Sequence, residues 1–162
     1  MTTLDDRLAL ALPTISAGAD AADADAKVPT ASLGALADSG LLGLVLPRDT
    51  GGLGGSPREV VDAVSAVAEA CGSTSMLYLM HLCATAVLAA APPPDGGREL
   101  LGDLADGSKL ATLAFSEKGS RSHFWAPVSR AERLADGRVR IGADKSWVTA
   151  ASHADAYVVS AL

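Results

Sequence analysis

The sequence has 162 residues, of which 49% are hydrophobic, 20% charged and 4% aromatic, with a net charge of −6. That length can bury the core of one domain or of two small ones, and the mixture is that of a globular protein. The acidic balance excludes nonspecific nucleic-acid binding, which needs a basic surplus to neutralise phosphates, yet it leaves room for an anionic small ligand held by a few local donors.

The opening stretch MTTLDDRLALALP puts two aspartates ahead of its apolar run and has no basic leading region, so no secretory signal is expected. From Leu4 to about Ala26 the chain is Ala-rich, with Leu8, Leu12 and Ile15 spaced along one helical face. Thr30 or Ser32 can cap a short helix running through Ala37 to Ser39-Gly40. LLGLVLP then leads into Arg48-Asp49-Thr50 and the cluster Gly51, Gly52, Gly54 and Gly55, which reads as a loop. This cluster lacks both the GxxxxGK[ST] and the strand-linked GxGxxG spacing, so it is a tight turn between helices rather than a phosphate cradle.

Ser56-Pro57-Arg58-Glu59 is a helix start: a capping serine, proline at the first helical position and Glu three residues on. That helix runs through Val60, Val61, Val64 and Val67 to Cys71-Gly72, and Ser73 or Thr74 opens the next. The most lipid-like stretch is Ser75 to Ala91. It is at the short limit for crossing a bilayer, holds His81 and lacks basic flanks, so it is expected to be a buried core helix with no membrane involved. Within it, His81 suits a hydrogen-bonded core or pocket-wall position better than a base. Cys71 and Cys83 show no CxxC or His/Cys ligand spacing, which predicts two buried, reduced thiols and no metal site. The expected compartment is the cytoplasm.

Pro92-Pro93-Pro94 ends the apolar helix, and a short amphipathic helix spans about Gly97 to Ala105 before Asp106-Gly107. At Lys109 the pattern changes. KLATLAFSE has strand character, and Asp136-Gly137 between extended runs signals a hairpin. Ala156 to Leu162 is a last strand, apolar throughout but for Tyr157 and Ser160. A sheet that stops on such a strand leaves an open edge and an uncovered face, so further chain or a partner is expected to complete it. The order is a helical unit over 1–108 followed by a β unit over 109–162.

Two segments could carry chemistry. Ala114 to His123 is polar and small-residue-rich after a strand, which suits either an acceptor-rich planar ligand or a solvated loop. In Lys145-Ser146-Trp147-Val148-Thr149, a strand would place the indole and the Thr149 hydroxyl on one face, to meet a flat ring and its edge, or the indole would simply fill the core.

Three stretches carry a family resemblance. KVPTASLGALADSGLLGLVLPRDTGGLGG, from Lys27 to Gly55, resembles the N-terminal signature of acyl-CoA dehydrogenases; AFSEKGSRSH resembles their "LTEPxxGSD" flavin loop; KSWVTAASHADAYVVSA resembles "KxWITNGxxADxxVVxA". They occur in the family's order and spacing, covering residues 27 to 161. The resemblance implies an α+β fold, with an N-terminal all-α helical domain followed by an incomplete antiparallel β-barrel-like domain. It implies FAD as cofactor and α,β-dehydrogenation of an acyl-CoA, in which a base removes the α-proton while the β-hydrogen leaves as hydride to the flavin. Leu113, Phe115 and Ser116 would line the isoalloxazine ring, Trp147 would cover it, Thr149 would hydrogen-bond near its redox-active edge, Val148 would be cofactor-binding with them, and Ser122 would meet the flavin pyrophosphate and the thioester substrate. Helices such as Ser75 to Ala91 would wall the acyl pocket.

Two departures stand out: Lys118 replaces the family's proline, and Arg121-Ser122-His123 replaces Gly-Ser-Asp. The family's catalytic glutamate lies in a C-terminal helical domain that nothing here matches. Glu59, Glu69, Glu99 and Glu132 read as solvated. The expected protein is therefore a fragment or split subunit of such an enzyme, acting as a homo-oligomer or with a partner chain. A flavin-dependent monooxygenase of the same fold and a non-catalytic interaction module are the alternatives.

Overall fold

The computed structural model describes residues 2–121 and 123–162. Helix α1 (Leu4–Ala17) begins with a capping box between Thr3 and Asp6 and gives way at Gly18 to α2 (Ala19–Asp25). Helix α3 (Thr30–Asp38) differs from expectation at its start. Pro29 occupies the cap position and makes no side-chain bond there, so neither Thr30 nor Ser32 caps it.

Two short 3-10 turns, Leu41–Gly43 and Arg48–Thr50, then carry the chain into the glycine cluster. Here the backbone doubles back on itself: the Leu53, Gly54 and Gly55 N–H groups donate to the Gly43, Leu46 and Leu44 carbonyls at 2.9, 2.9 and 2.7 Å. A Cβ on Gly52 would lie 2.2 Å from the Leu46 oxygen, so this close approach admits only glycine.

Helix α4 (Pro57–Ala70) starts as its sequence predicts, with the Ser56–Glu59 capping box and proline in its first turn. Helix α5 (Gly72–Ala90) does not. Its cap is Cys71, whose Sγ accepts from the Thr74 N–H, so Ser73 and Thr74 lie inside the helix. Cys71 is buried as expected, whereas Cys83 is only half-buried. Helix α6 (Gly97–Asp106) ends at Gly107, which takes a left-handed backbone.

Helix α5 is long and apolar enough to span a membrane by length and composition, but 44% of that window is buried inside the fold. It joins two cores. Tyr78 and Leu82 pack with Leu8, Ile15, Leu36 and Val67 from α1, α3 and α4 and with Leu41 of the first 3-10 turn. One turn on, Ala84 packs with Leu46, Leu101, Leu104 and Ala111, so this second core runs through residue 108 from helix into sheet. Two polar residues of α5 serve the first 3-10 turn: Tyr78 Oη donates to the Leu41 carbonyl at 3.0 Å, and His81 Nε2 lies 3.2 Å from that of Leu42.

Strand β1 (Ala111–Ala114) lies on α5, while β2 (Arg130–Arg133) and β3 (Val139–Gly142) form the expected antiparallel hairpin, with Arg130 opposite Gly142. Asp136-Gly137 sits in its turn: Gly137 has φ +85°, the left-handed conformation that closes a three-residue loop with a bulge. Strand β4 (Ala156–Val159) departs from the antiparallel expectation by pairing parallel with β1, Ala111 opposite Ala156. The long excursion between them allows the chain to re-enter in the same direction. The Asp155 carboxylate fixes the register by accepting from the Leu110 N–H at 2.8 Å. Among the described residues there are two two-stranded sheets and no closed barrel.

Candidate functional site

Beyond β1 the chain continues through Phe115 and Ser116 to Glu117, which forms an isolated antiparallel bridge with Lys145. Beside this bridge the Ser146 N–H donates to the Ser116 carbonyl at 2.9 Å, and the Lys118 N–H to that of Asp144 at 3.2 Å. The segment after Ala114 and the segment around Trp147 are thus stitched together. They border an open cleft of about 570 Å³ walled by Ser116, Glu117, Lys118, Gly119, Arg121, Asp144, Ser146 and Trp147, a volume within the ~300–1,000 Å³ range of small-molecule sites.

Lys145 to Thr149 is not a strand. Trp147 has φ +57° and is 94% exposed, so it neither fills the core nor shares a strand face with Thr149. The reason is tertiary. Ser146 is held by Ser116, and the Thr149 carbonyl accepts from the Thr112 hydroxyl at 2.7 Å. Trp147, between these anchors, is driven into a conformation that a bulky residue occupies only when its surroundings dictate it.

Of the residues singled out in the sequence, Ser116 and Trp147 line the cleft together. Val148 turns the other way, into an apolar cavity of about 330 Å³ with Ala114, Ile141, Tyr157 and Val159. Leu113 packs into the second core. Phe115 is half-buried, and its carbonyl lies 3.4 Å from the Ser160 hydroxyl. Thr149 stands beyond the cleft wall, and Ser122 lies outside the described residues. Arg121 is exposed on the rim, with φ +53°.

Sequence reasoning missed the most tightly held group. The Glu117 side chain is 1% exposed and its partner Lys145 11%. Glu117 accepts from the Val128 and Ser129 N–H groups at 2.6 and 2.9 Å, from the Ser129 hydroxyl and from Lys145 Nζ. Lys145 also donates to the Ser160 carbonyl at 2.6 Å. The Lys145 ammonium and then the Ser129 hydroxyl hold the Glu117 carboxyl down to about 2, against the opposing effect of burial. The available signal was one acid and one base, each lying within one of the two motifs.

His81 is remote from this cleft and fully buried. Its Nδ1 accepts from the Ala111 N–H at 3.1 Å, which leaves Nε2–H to donate to the Leu42 carbonyl. Burial pushes its imidazole down to about 4, opposed by the carbonyls of Leu42 and Leu104. It is the satisfied core histidine that its apolar context predicts. Among the described residues no cluster of His, Cys, Asp and Glu could hold a metal ion.

A mostly helical unit followed by a few strands, with no closed barrel among the described residues, defines the front part of the acyl-CoA dehydrogenase fold. The profile of the family described as "Acyl-CoA dehydrogenase, N-terminal domain" matches residues 10–108. Probable acyl-CoA dehydrogenase YngJ of Bacillus subtilis (strain 168) is 30% identical over 153 residues, covering 91% of this chain and 39% of that protein. FMN-bound TdsC of Paenibacillus sp. A11-2, a dibenzothiophene monooxygenase, superposes with a TM-score of 0.82 at 25% identity, over 98% of this chain and 39% of that one. Butyryl-CoA dehydrogenase of Megasphaera elsdenii superposes with a TM-score of 0.85 at 18% identity, over 98% and 44%, a likeness of fold alone.

The chain belongs to the acyl-CoA dehydrogenase family, a family of flavin-dependent oxidoreductases. It spans about two-fifths of the length of the relatives it matches.

Proposed function

We propose that this chain supplies one wall of an FAD-dependent acyl-CoA dehydrogenase-type enzyme that introduces an α,β double bond into an acyl-CoA thioester. The observation that carries this reading is the convergence of the Ser116 loop and the Trp147 segment on one cleft. A flat tricyclic ring fits what the cleft offers: an indole face with no packing partner of its own, the Ser116 hydroxyl, and open space beside the Gly119 backbone, where even an added Cβ would meet nothing within 4 Å.

Ser116 and Trp147 would hold the ring from the cleft side. Leu113, Phe115, Val148 and Thr149 would support it through the backbone they share with those residues, and Ser122 would serve the pyrophosphate and the thioester. FAD, when bound, supplies the acceptor for the hydride that leaves the β-carbon. This chain's residues orient the ring and exclude water from one side of it, and none of them is assigned as the base that takes the α-proton. A second copy or a partner chain would complete the β unit, and the cytoplasm is the compartment that fits the reading.

A second reading, a flavin-dependent monooxygenase, is favoured by the 25% identity to TdsC against 18% to butyryl-CoA dehydrogenase. One experiment separates the readings. The chain, with any partner that copurifies, is loaded with FAD or FMN and exposed anaerobically to acyl-CoA thioesters. Bleaching of the yellow colour supports dehydrogenation. Retained colour, with oxygen consumed when reduced flavin and an aromatic substrate are supplied, supports monooxygenation. A protein that stays colourless and monomeric with both flavins refutes both readings and supports an interaction module.

A further inference from the structure

Glu117 stands in the wall of the cleft, but its carboxylate is turned inward to Lys145, and this buried pair ties the cleft-lining segments to the chain behind them. Glu117 reaches Val128 and Ser129 on the way into the hairpin, and Lys145 reaches Ser160 just past β4. Ser160 Oγ in turn lies 3.2 Å from Lys145 Nζ and 3.4 Å from the Phe115 carbonyl. Two residues after Lys145 comes the left-handed Trp147. A buried ion pair is weak evidence for stability, because desolvation offsets much of the attraction. Its better-attested use is to select one arrangement among several, and here the arrangement selected is strained, because a bulky side chain in the left-handed region crowds its own backbone. The anchor at Thr149 fixes the far end of the segment, and the pair fixes the near end.

We propose that Glu117 and Lys145 are positioning residues, whose buried pairing sets the backbone at Ser146 so that Trp147 presents its indole to the cleft. The pair acts through the indole and needs no contact with a ligand. Of the two readouts that test it, flavin quenching rests on the flavin reading and the indole signal does not.

The test uses the full chain carrying Trp125→Phe, which leaves Trp147 as the only tryptophan and a single indole N–H signal in a ¹H–¹⁵N spectrum. Glu117→Gln and Lys145→Met are introduced singly and together. Each single variant is expected to displace or split the indole signal, and to weaken quenching of Trp147 fluorescence by FMN and FAD at least tenfold in concentration. The double variant removes both charges together, and with them the penalty of burying one unpaired. It is expected to regain most of the melting temperature lost by the single variants while its indole signal stays displaced.

An indole signal unchanged in both single variants overturns the proposal. So does a double variant whose indole signal returns to the parent position together with its melting temperature, since the pair would then be a stability element only. Should a single variant fail to fold, Ser129→Ala carries the same test with both charges kept, and an unmoved indole signal there counts against the proposal. If the parent binds neither flavin, the flavin reading fails while the indole signal still decides the positioning role.

Discussion

Acid should loosen the joint between helices and sheet through His81, and the size of the effect follows from its surroundings. The neutral imidazole bridges three elements: Nδ1 accepts from the Ala111 N–H of β1, and Nε2–H donates to Leu42 below α5. Protonation puts a hydrogen on Nδ1, which then meets the Ala111 N–H donor to donor, and it places a charge where no solvent reaches. The unfolded chain, with an ordinary imidazole near 6.5, therefore binds the proton more readily than the fold, where the value is pushed down to about 4. A depressed value means that the stabilisation is fully present above about pH 6.5 and is lost as the pH falls toward about 4. At about 1.36 kcal/mol per decade this totals roughly 3 kcal/mol, of which about 2 kcal/mol is gone by about pH 5. Urea unfolding at a series of pH values from neutral to mildly acidic measures it. His81→Gln can accept and donate at the same places without titrating, so its stability should be nearly flat over that range. Parallel curves for the parent and His81→Gln would refute the reasoning.

Three further outcomes are expected. Gly52→Ala forces a carbon to within 2.2 Å of the Leu46 carbonyl oxygen and should cost about 3 kcal/mol or more in thermal unfolding, the upper end of overpacking penalties, whereas Gly72→Ala, with open space around it, should stay within about 1 kcal/mol of the parent. Below the range where His81 titrates, Glu117 adds a second loss: its depressed value stabilises the fold above the ordinary carboxylate range, and that contribution disappears between about pH 4.5 and about pH 2. Glu117→Gln should remove this lower limb of an acid-unfolding curve. Thr74 Oγ1 is buried with no hydrogen-bond partner among the described residues. The isosteric Thr74→Val should therefore leave stability unchanged or raise it by about 1–2 kcal/mol, read from the urea midpoint.

What the sequence made legible was local or repeated along the chain. Ser56, Pro57 and Glu59 announce the start of α4 because all the partners of that cap lie within one turn. Asp136-Gly137 announces the hairpin for the same reason. The Ser116 and Trp147 segments were legible as a converging pair through family resemblance rather than through their own propensities. The conformation at Trp147 was not. Trp, Val and Thr favour strands, and the anchors that override this preference, Ser116 and Thr112, lie about thirty or more residues away. The parallel return of β4 depends on the direction of re-entry, on which alternating side chains are silent. Cys71 took the cap position ahead of two better capping types because α4 and α5 meet with a single residue between them.

That parallel return also bears on timing. Helices α4 and α5 meet across one residue and can pair as soon as both exist, but β1 must wait for Ala156–Val159 before it gains its strand partner. Closing a loop of about 40 residues costs roughly 3 kcal/mol in chain entropy before any strand bond repays it. During synthesis from the N-terminus, β1 would therefore rest on an already assembled helical platform without a strand beside it, and strand exchange between nascent chains would be the characteristic error of this unit.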